Sequence, residues 1–224
     1  MKLYMHPAST TARPVMLFIA DHGLAVEQQA IDILAGEQYQ PAFVAVDPKS
    51  RVPVLEDGDF RLTESSAILK YLADKIGSPT YPKELRARAR VNEALDWCNT
   101  DLYHGFGYGL CYAQLLDHYK LPDEAARKLA VAAGKRDADR FLRVFDDHVL
   151  GPRRPYLCGE AITIADYLAA GIVSVGEVIG CTFEAYPNLV RWYERMKSRP
   201  NWRQANAGLY AWVEFARGPA YVTV

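Results

Sequence analysis

The sequence contains few cysteines, and none of them precedes Cys98. The four that are present, Cys98, Cys111, Cys158 and Cys181, form no Cys-x-x-Cys pair and have no metal-ligand spacing. Free cysteine is among the most buried residue types. We therefore expect reduced and mostly buried thiols, without disulfide bonds and without a metal site.

Long apolar runs and an excess of charge of one sign are also missing. No apolar run approaches the roughly 20 residues that a membrane-spanning helix requires, and the first residues have the pattern of a strand, not of a signal peptide. The formal net charge of −1 gives no polycationic surface that would attract nucleic acid or acidic membranes. With 50% hydrophobic and 24% charged residues, the composition is typical of a globular protein with a sizeable core. The sequence thus predicts a cytoplasmic protein that binds neither nucleic acid nor membranes.

The chain of 224 residues is long enough for two small domains. Over residues 1–77, short strands and helices alternate in the order βαβαββα. The strands are predicted at 2–5, 25–31, 52–55 and 60–62, and the helices at 13–22, 40–46 and 65–76. This order predicts a small α/β domain with a mixed sheet, as in the thioredoxin fold. Residues 78–83, which follow Gly77 and include two prolines, form the predicted linker.

Beyond the linker, residues 84–224 show helical patterns only. Long helices are predicted at 84–119 and 123–149, and shorter ones at 187–198 and 201–207. Thr163 and Asp166 have the spacing of a capping box, and the helix that they open, through about residue 179, is apolar on most sides. It should be the buried centre of an all-helical domain. The tail, 208–224, is expected either to cover a cleft or to pack beneath it.

The stretch 47–72 contains the most informative pattern. Pro53 lacks an N–H group, so the Val52-Pro53 step is either an edge feature or a cis peptide in a tight turn. Glu64 and Ser65 stand where the next helix begins. Free N–H groups at a helix start attract an anionic group, while the Glu64 carboxylate attracts an ammonium. The pattern predicts a pocket for a zwitterionic ligand.

Two motifs in this stretch resemble a known family. Val-Pro-Val-Leu at 52–55, followed by Leu-Thr-Glu-Ser-Ser-Ala-Ile at 62–68, is similar to the glutathione-binding half of cytosolic glutathione S-transferases. The segment Pro-Tyr-Leu-Cys-Gly at 155–159 and the Thr-x-x-Asp box resemble the segment before the family's sixth helix. The resemblance therefore covers nearly the whole chain, and it is to bacterial members of a serine-using theta- or delta-like type, or of a beta-like type.

The resemblance implies the glutathione transferase fold. In that fold an α/β thioredoxin-like N-terminal domain, here 1–77, binds glutathione as co-substrate. A linker, here 78–83, leads to an all-α C-terminal domain, here 84–224, which binds the electrophile. The resemblance also implies a homodimer.

The same resemblance implies which residues bind glutathione. In the family, the residue before a cis proline pairs its backbone with the cysteinyl part of glutathione, and here Val52 and Pro53 occupy this step. A Glu-Ser pair holds the γ-glutamyl end, and here it is Glu64 with Ser65. These two assignments match the zwitterion pocket that the residues predict by themselves.

The glycine end of glutathione has a weaker assignment. The family's Asn-Pro-x-Gly is Asp-Pro-Lys-Ser at 47–50 in this chain, and its common Gln is Arg51. Lys49 and Arg51 are therefore expected either to touch the glycine carboxylate or to be solvated surface charges.

A transferase of this kind must ionise a thiol near neutral pH. Lowering a thiol pKa by two units requires about 2.7 kcal/mol of differential stabilisation, which a hydroxyl donor beside a helix N-terminus can supply. Ser9, Thr10 and Thr11 lie in the loop before the first helix. Ser9 precedes Arg13 by four residues, the spacing at which the theta and delta classes place their catalytic serine. Ser9 is therefore the first candidate, and Thr10 or Thr11 is the alternative.

Other residues near this loop have different expected roles. Tyr4 lies inside the first strand and should pack in the core. Arg13 should pair with an acidic residue of the second domain, as the family's arginines do here. Because no cysteine precedes Cys98, a glutaredoxin-like mechanism or a cysteine-based omega or beta mechanism lacks its nucleophile in the first domain.

The long helix predicts the electrophile site. His104, Tyr108 and Tyr112 recur at helical spacing on a half-polar, aromatic face. The segment 100–106, which includes Tyr103, resembles the beta-class segment that lines the cleft. We expect Tyr103, His104, Tyr108 and Tyr112 to line a site for flat, apolar electrophiles. The alternative for each is an exposed aromatic surface or a dimer contact.

The function expected from the sequence is conjugation of the glutathione thiolate to small apolar electrophiles, as in detoxification. Glutathione-dependent isomerases, dehalogenases, ether lyases and peroxidases share the first domain, and spacing does not separate them. A different class of hypothesis is a non-catalytic binding protein on the same fold. The hydroxyl cluster and the Glu64-Ser65 pair argue against it, because a scaffold would not need them.

Overall fold

Four short strands form a mixed sheet at the start of the chain. The computed structural model describes all 224 residues. The strands are β1 (Lys2–Met5), β2 (Glu27–Ala30), β3 (Val54–Asp57) and β4 (Phe60–Thr63), in the spatial order β2-β1-β3-β4. β1 is parallel to β2 and antiparallel to β3, and β3 forms a hairpin with β4. The predicted α/β domain with a mixed sheet is confirmed.

Three helices flank the sheet. They are α1 (Ala12–Asp21), α2 (Pro41–Val44) and α3 (Ser65–Lys75). α1 and α3 contact each other and the helical part of the chain, so they form a layer between that part and the sheet. On the other face, Phe43 of α2 packs with Tyr4 and Val54, and Tyr4 is a core residue as expected.

The rest of the chain is helical. α4 (Leu85–Trp97) continues into a π-helical segment, Cys98–Tyr112, which we call the π segment, and into a last turn, α5 (Ala113–Leu115). The helices that follow are α6 (Glu124–Val144), α7 (Ile164–Ser174), α8 (Pro187–Lys197), α9 (Trp202–Ala205) and α10 (Ala207–Phe215). A π turn (Phe145–Leu150) extends α6, and short 3-10 turns lie at Glu37–Tyr39, Asp117–Tyr119 and Val175–Ile179. None of the helices has both the length and the apolarity needed to cross a membrane.

α7 is the centre of the helical part, as its apolar pattern predicts. Every residue of α7 is buried, and Thr163 and Asp166 form the predicted capping box. The Asp166 carboxylate also accepts hydrogen bonds from the Leu157 amide and from Trp192 Nε1, each at 2.9 Å. A buried carboxylate is costly unless donors surround it. With the Thr163 amide at 2.8 Å and the Thr163 hydroxyl at 2.9 Å, four donors from three segments fix the start of α7.

Some boundaries differ from the sequence prediction. The strand predicted at 52–55 begins at Val54, because Val52-Pro53 forms the turn before it. The helix predicted at 84–119 ends at Leu115, and the tail contains a helix, α10, that the sequence analysis left open. All four thiols are free, and three are buried while Cys158 is half-buried, as expected.

Candidate functional site

The loop between β1 and α1 places hydroxyl groups at the N-terminus of α1. The Ala12 amide donates a hydrogen bond to Ser9 Oγ at 3.2 Å, and Thr11 Oγ1 lies 3.4 Å from Ser9 Oγ. Because the first amides of a helix have no partner within the helix, this end favours a negative charge. The loop therefore combines hydroxyl donors with a helix N-terminus, as the sequence predicts.

This loop meets the Val52-Pro53 step directly. Thr11 Oγ1 donates a hydrogen bond to the Val52 carbonyl at 3.2 Å across 41 residues of sequence. The Val52-Pro53 peptide is cis, which decides between the two alternatives that the missing N–H of Pro53 left open. Two of the predicted site motifs are thus neighbours in space.

The three candidate hydroxyls of the loop are not equivalent. Thr10 is only 3% exposed and accepts a hydrogen bond from Tyr112 Oη at 2.7 Å, so it is turned toward the helical part. The Thr11 hydroxyl already donates its hydrogen bond to the Val52 carbonyl. Ser9 accepts a hydrogen bond from the Ala12 amide, and its own proton has only the Thr11 oxygen, at a long 3.4 Å, as a partner. Its side chain is half-buried. Ser9 therefore has the hydroxyl that is most free to donate to a ligand.

Asp47 organises the turn before Val52. It is buried, and its carboxylate accepts hydrogen bonds from the Lys49 amide at 3.3 Å and the Arg51 amide at 3.0 Å. Between them, Ser50 has a φ of 55°, a left-handed conformation that is uncommon for a residue with a side chain. The Asp47 carboxylate thus holds a turn in which the resembled motif has Gly. The Arg51 side chain is exposed.

Glu64 and Lys49 form an ion pair at the start of α3. Lys49 Nζ lies 2.6 Å from Glu64 Oε1 and 2.9 Å from Thr63 Oγ1. Glu64 has a φ of 66°, a strained conformation that costs on the order of 1–3 kcal/mol and that clusters at functional sites. Ser65 is the first residue of α3 and is buried. A cation, an anion and a helix N-terminus therefore lie side by side at this position, and the zwitterion pocket stays a prediction.

Aromatic rings of the π segment form a cluster on the side of Thr10. Tyr108 lies 4.6 Å from Tyr103 and 5.2 Å from Tyr112, measured between ring centroids. Tyr112 Oη and Tyr103 Oη are 2.9 Å apart. Burial raises the pKa of Tyr112 to about 12, so its hydroxyl is protonated and able to donate at neutral pH.

The expected electrophile residues do not share one solvent-facing side of the helix. His104 is exposed and Tyr108 is half-buried, whereas Tyr103 and Tyr112 are buried. Straight α-helical spacing places His104, Tyr108 and Tyr112 together, but the π segment has more residues per turn, so the following side chains are rotated. Tyr112 therefore points its hydroxyl at Thr10 and not into open solvent.

Two further aromatic residues join the cluster, and one of them, Trp212, lies in the tail that was expected either to cover a cleft or to pack beneath it. Tyr119 lies 5.5 Å from Tyr108 and 5.9 Å from Tyr112, and Trp212 of α10 stacks on Tyr112 at 6.4 Å, between ring centroids. Tyr119 had a signal, because it follows Tyr112 at helical spacing at the end of the predicted helix 84–119, but the structure places it in a 3-10 turn beyond that helix. Trp212 had a signal, because residues 209, 212, 213 and 216 recur at the spacing of a helix face.

Arg13 does not pair with an acid, and that expectation is wrong. Its side chain is buried, and Nη1 donates to Ser174 Oγ at 2.7 Å and to Asn206 Oδ1 at 2.5 Å. Nη2 donates to the Gly171 carbonyl at 3.3 Å. Burial lowers the pKa of Arg13, since neutral partners replace the expected carboxylate. The expected role is retained in part, because these partners tie α1 to α7 and to the start of α10.

Comparisons with known proteins identify the family of this chain. The family model for the glutathione S-transferase N-terminal domain matches residues 1–74, and the model for the C-terminal domain matches residues 112–200. The chain is 34% identical to human glutathione S-transferase theta-2B over 204 residues, which cover 88% of this chain and 81% of the relative. The chain belongs to the glutathione S-transferase family. The predicted family, the transferase fold and a glutathione-dependent enzyme are confirmed at this level.

Solved structures of glutathione transferases share the fold over nearly the full length. The structure of human theta-2 transferase, in complex with glutathione and an unknown ligand, has a TM-score of 0.85 at 29% identity. The superposition covers 99% of this chain and 92% of the human chain. A delta-class transferase of Nilaparvata lugens has a TM-score of 0.80 at 29% identity, with 96% and 98% covered. Theta and delta are the two classes that the spacing of Ser9 and Arg13 resembles.

Proposed function

We propose that this glutathione transferase joins the thiolate of glutathione to small apolar electrophiles, with Ser9 as the hydroxyl that donates to the sulfur. The observation that supports this most is the position of Ser9 Oγ. It lies at the N-terminus of α1, beside Thr11, which is bonded to the Val52 carbonyl. A cysteinyl group that pairs with the backbone of Val52, next to Pro53, would bring its sulfur toward this hydroxyl.

The chemistry then needs little beyond ionisation of the thiol. One hydrogen bond from Ser9 to a charged sulfur contributes about 1.5–3 kcal/mol, and a helix N-terminus about 0.3–1 kcal/mol. Together they match the approximately 2.7 kcal/mol that a pKa shift of two units requires. The thiolate sulfur attacks the electrophilic carbon, the new C–S bond forms, and a leaving group such as halide departs with its electron pair.

The rest of glutathione binds along the stretch from Lys49 to Ser65 in this proposal. Glu64 receives the ammonium of the γ-glutamyl end, and the amide of Ser65 at the start of α3 receives its carboxylate. Lys49, which was expected either at the glycine carboxylate or as a surface charge, is instead paired with Glu64, and it adds a positive charge at the γ-glutamyl end. Arg51 is exposed and is available to the glycine carboxylate. This assignment places opposite charges against each end of a zwitterion.

The electrophile binds against the aromatic cluster in this proposal. Tyr108 and His104 supply the accessible surface, while Tyr103 and Tyr112 back it with buried rings. Flat apolar substrates fit such a surface, since aromatic rings prefer offset or edge contacts. We further propose detoxification as the physiological role, a cytoplasmic location and a homodimer, as the family resemblance implies.

The test is a titration of the thiolate absorbance of enzyme-bound glutathione, combined with conjugation of an aryl halide. For the wild type, we expect a bound-thiol pKa about two units below that of free glutathione. Ser9→Ala should return the pKa close to the free value and lower the conjugation rate below neutral pH by about a hundredfold. Thr11→Ala should have a smaller effect on both quantities, because the Thr11 hydroxyl donates its hydrogen bond to the Val52 carbonyl and not to the ligand.

Ser198→Ala is the matched control, because this serine follows α8 and its hydroxyl donates only to the Arg195 carbonyl. It should leave both quantities unchanged. If glutathione binds to the wild type without a shift of its thiol pKa, the proposed chemistry is wrong. If the shift is present but survives Ser9→Ala, the hydroxyl has been assigned to the wrong residue.

A further inference from the structure

The loop that contains Ser9 is fixed from outside its own domain. Gly208 of α10 packs so closely against it that a Cβ there would lie 2.7 Å from the Ala8 nitrogen and overlap the Pro7 carbonyl group. Gly171 of α7 comes equally close, since its Cβ would lie 2.8 Å from the Thr10 carbonyl oxygen. The Gly208 contact is of backbone against backbone, and the Gly171 contact is with the Thr10 carbonyl and the Pro14 ring. Both set where the loop lies without selecting the conformation of its hydroxyl side chains.

One contact is made to a side chain of the loop, and it comes from Tyr112. Its hydroxyl donates to Thr10 Oγ1 at 2.7 Å. A phenol has a single proton, so Tyr103 Oη must be the donor in its 2.9 Å contact with Tyr112 Oη. The three hydroxyls form a directed chain that runs from Tyr103 through Tyr112 to Thr10, and all three residues are buried.

The chain of hydrogen-bonded hydroxyls ends at Thr10, the residue between the two that face the proposed thiol site. Ser9 and Thr11, on either side of Thr10, have their oxygens 3.4 Å apart. A buried hydrogen bond with a polarised donor is stronger than one in water. Fixing Thr10 therefore limits rotation of the peptides on both sides of it.

We propose that Tyr112 is a positioning residue: its hydroxyl, supported by Tyr103, fixes Thr10 and so holds the Ser9 hydroxyl in the direction that a bound thiol requires. This role assigns to Tyr112 a function other than contact with the electrophile, and it rests on the proposed function of Ser9. Catalytic geometry is sensitive to displacements of about 1 Å, which can lower a rate by about a hundredfold. A hydroxyl on the helical domain would thereby tune chemistry that takes place on the α/β domain.

The experiment measures the thiol pKa of bound glutathione, the glutathione dissociation constant and the pH profile of kcat for Tyr112→Phe. We expect the thiol pKa to rise by about 0.5–1 unit, the range that one net hydrogen bond corresponds to. The rate below neutral pH should fall by about three- to tenfold, while the dissociation constant stays within about twofold of the wild type. A role in packing alone would not move the pH profile.

Four further variants isolate the hydroxyl chain. Tyr186→Phe is the matched control, because Tyr186 is also buried and loses a single hydrogen bond, to Asp139 at 3.2 Å, but does not touch the loop. Thr10→Val should reproduce the effect of Tyr112→Phe, and Thr10→Ser, which keeps the hydroxyl, should restore the wild-type profile. The double variant of Thr10→Val with Tyr112→Phe should be no worse than either single variant, since both remove the same bond.

The outcomes separate this inference from the proposed function. If Ser9→Ala abolishes the thiol shift while Tyr112→Phe and Thr10→Val leave the shift and the profile unchanged, the positioning role is wrong and the Ser9 assignment stands. If bound glutathione shows no thiol shift in the wild type, the proposed function itself is wrong. If Tyr186→Phe shifts the pKa as much as Tyr112→Phe does, the effect is general to the helical domain and the positioning role is again overturned.

Discussion

Two stretches meet at the proposed glutathione site, and they are held in place in different ways. The loop before α1 and the first turn of α1, together residues 7–13, are fixed by the helical domain, through Gly208, Gly171, Tyr112 and the partners of Arg13. The stretch 47–65 is fixed within its own domain. Its bonds are those from the Asp47 carboxylate to two nearby amides, the ion pair of Lys49 with Glu64, and the bond from Thr11 to Val52.

The difference separates the reaction from the binding of the co-substrate. The loop contacts are buried, with Thr10 at 3% and Arg13 at 1% exposure, and a misplaced group there is costly. The side chain of Glu64 is 71% exposed, so solvent screens its charge and its ion pair is worth little by itself. Damage to the helical domain should therefore change kcat and the thiol pKa, while damage to the stretch 47–65 should change glutathione affinity.

The largest effect is expected from Gly208→Ala. The added methyl would overlap backbone atoms of Pro7 and Ala8, and because backbone cannot rotate away as a side chain can, α10 and the loop must move apart. Overpacking of this kind costs about 1–3 kcal/mol of unfolding free energy. The shifted loop should also lower kcat by on the order of tenfold to a hundredfold. Denaturant unfolding and the pH profile of kcat measure the two effects.

Leu150→Ala is the control that makes this prediction specific. Leu150 is buried at the end of the π turn that extends α6, so the cavity should cost about 2–5 kcal/mol of unfolding free energy. It lies in neither the loop before α1 nor the π segment, and the thiol pKa of bound glutathione in the folded protein should stay at the wild-type value. If both variants shift that pKa equally, the pKa responds to any loss of packing in the helical domain and not specifically to the contacts with the loop, and the comparison fails.

Glu64→Gln tests the other stretch. The substitution keeps the shape of the side chain but removes the charge that receives the ammonium, and hydrogen bonds to charged groups contribute about 1.5–3 kcal/mol. The dissociation constant of glutathione should rise about tenfold to a hundredfold, while the pKa of the bound thiol stays unchanged. Isothermal titration calorimetry and the thiolate titration measure these quantities separately.

Glu56→Gln is the matched control for this prediction. Glu56 is an acid of β3 that pairs with Arg61 at 2.9 Å and has no part in the proposed site, so glutathione affinity should not change. A thiol pKa that rises in Glu64→Gln as much as in Tyr112→Phe would contradict the separation of the two stretches.

The sequence predicted what local patterns determine and missed what distant contacts determine. The capping box at Thr163 and the helix start at Ser65 depend on residues a few positions apart, and both are present. The bond between Thr10 and Tyr112 spans 102 residues and depends on the rotation that the π segment introduces. No periodicity of 3.6 residues predicts that rotation.

The hydrogen-bond partners of Arg13 also could not be predicted from the sequence. Its spacing from Ser9 is visible in the sequence, and its burial follows from its place in a helix between two layers. Its partners come from α7 and from the residue before α10, a helix that the sequence analysis left open. An amide and a hydroxyl thus replace the expected carboxylate, and only the packing of three distant segments reveals the exchange.

The smallest effect is expected from Lys49→Ala. Lys49 and Glu64 have exposed side chains, at 49% and 71%, and exposed ion pairs contribute about 0–1 kcal/mol. Glutathione affinity should therefore fall by no more than about fivefold, and the difference from the wild type should shrink as salt screens the charge.

Lys83→Ala, which removes an exposed charge in the linker, should have no effect at any salt concentration. A tenfold or larger loss from Lys49→Ala that persists at high salt would mean that Lys49 is shielded from solvent in the complex. The stretch 47–65 would then close around glutathione, and its open, weakly held state would belong to the free enzyme alone.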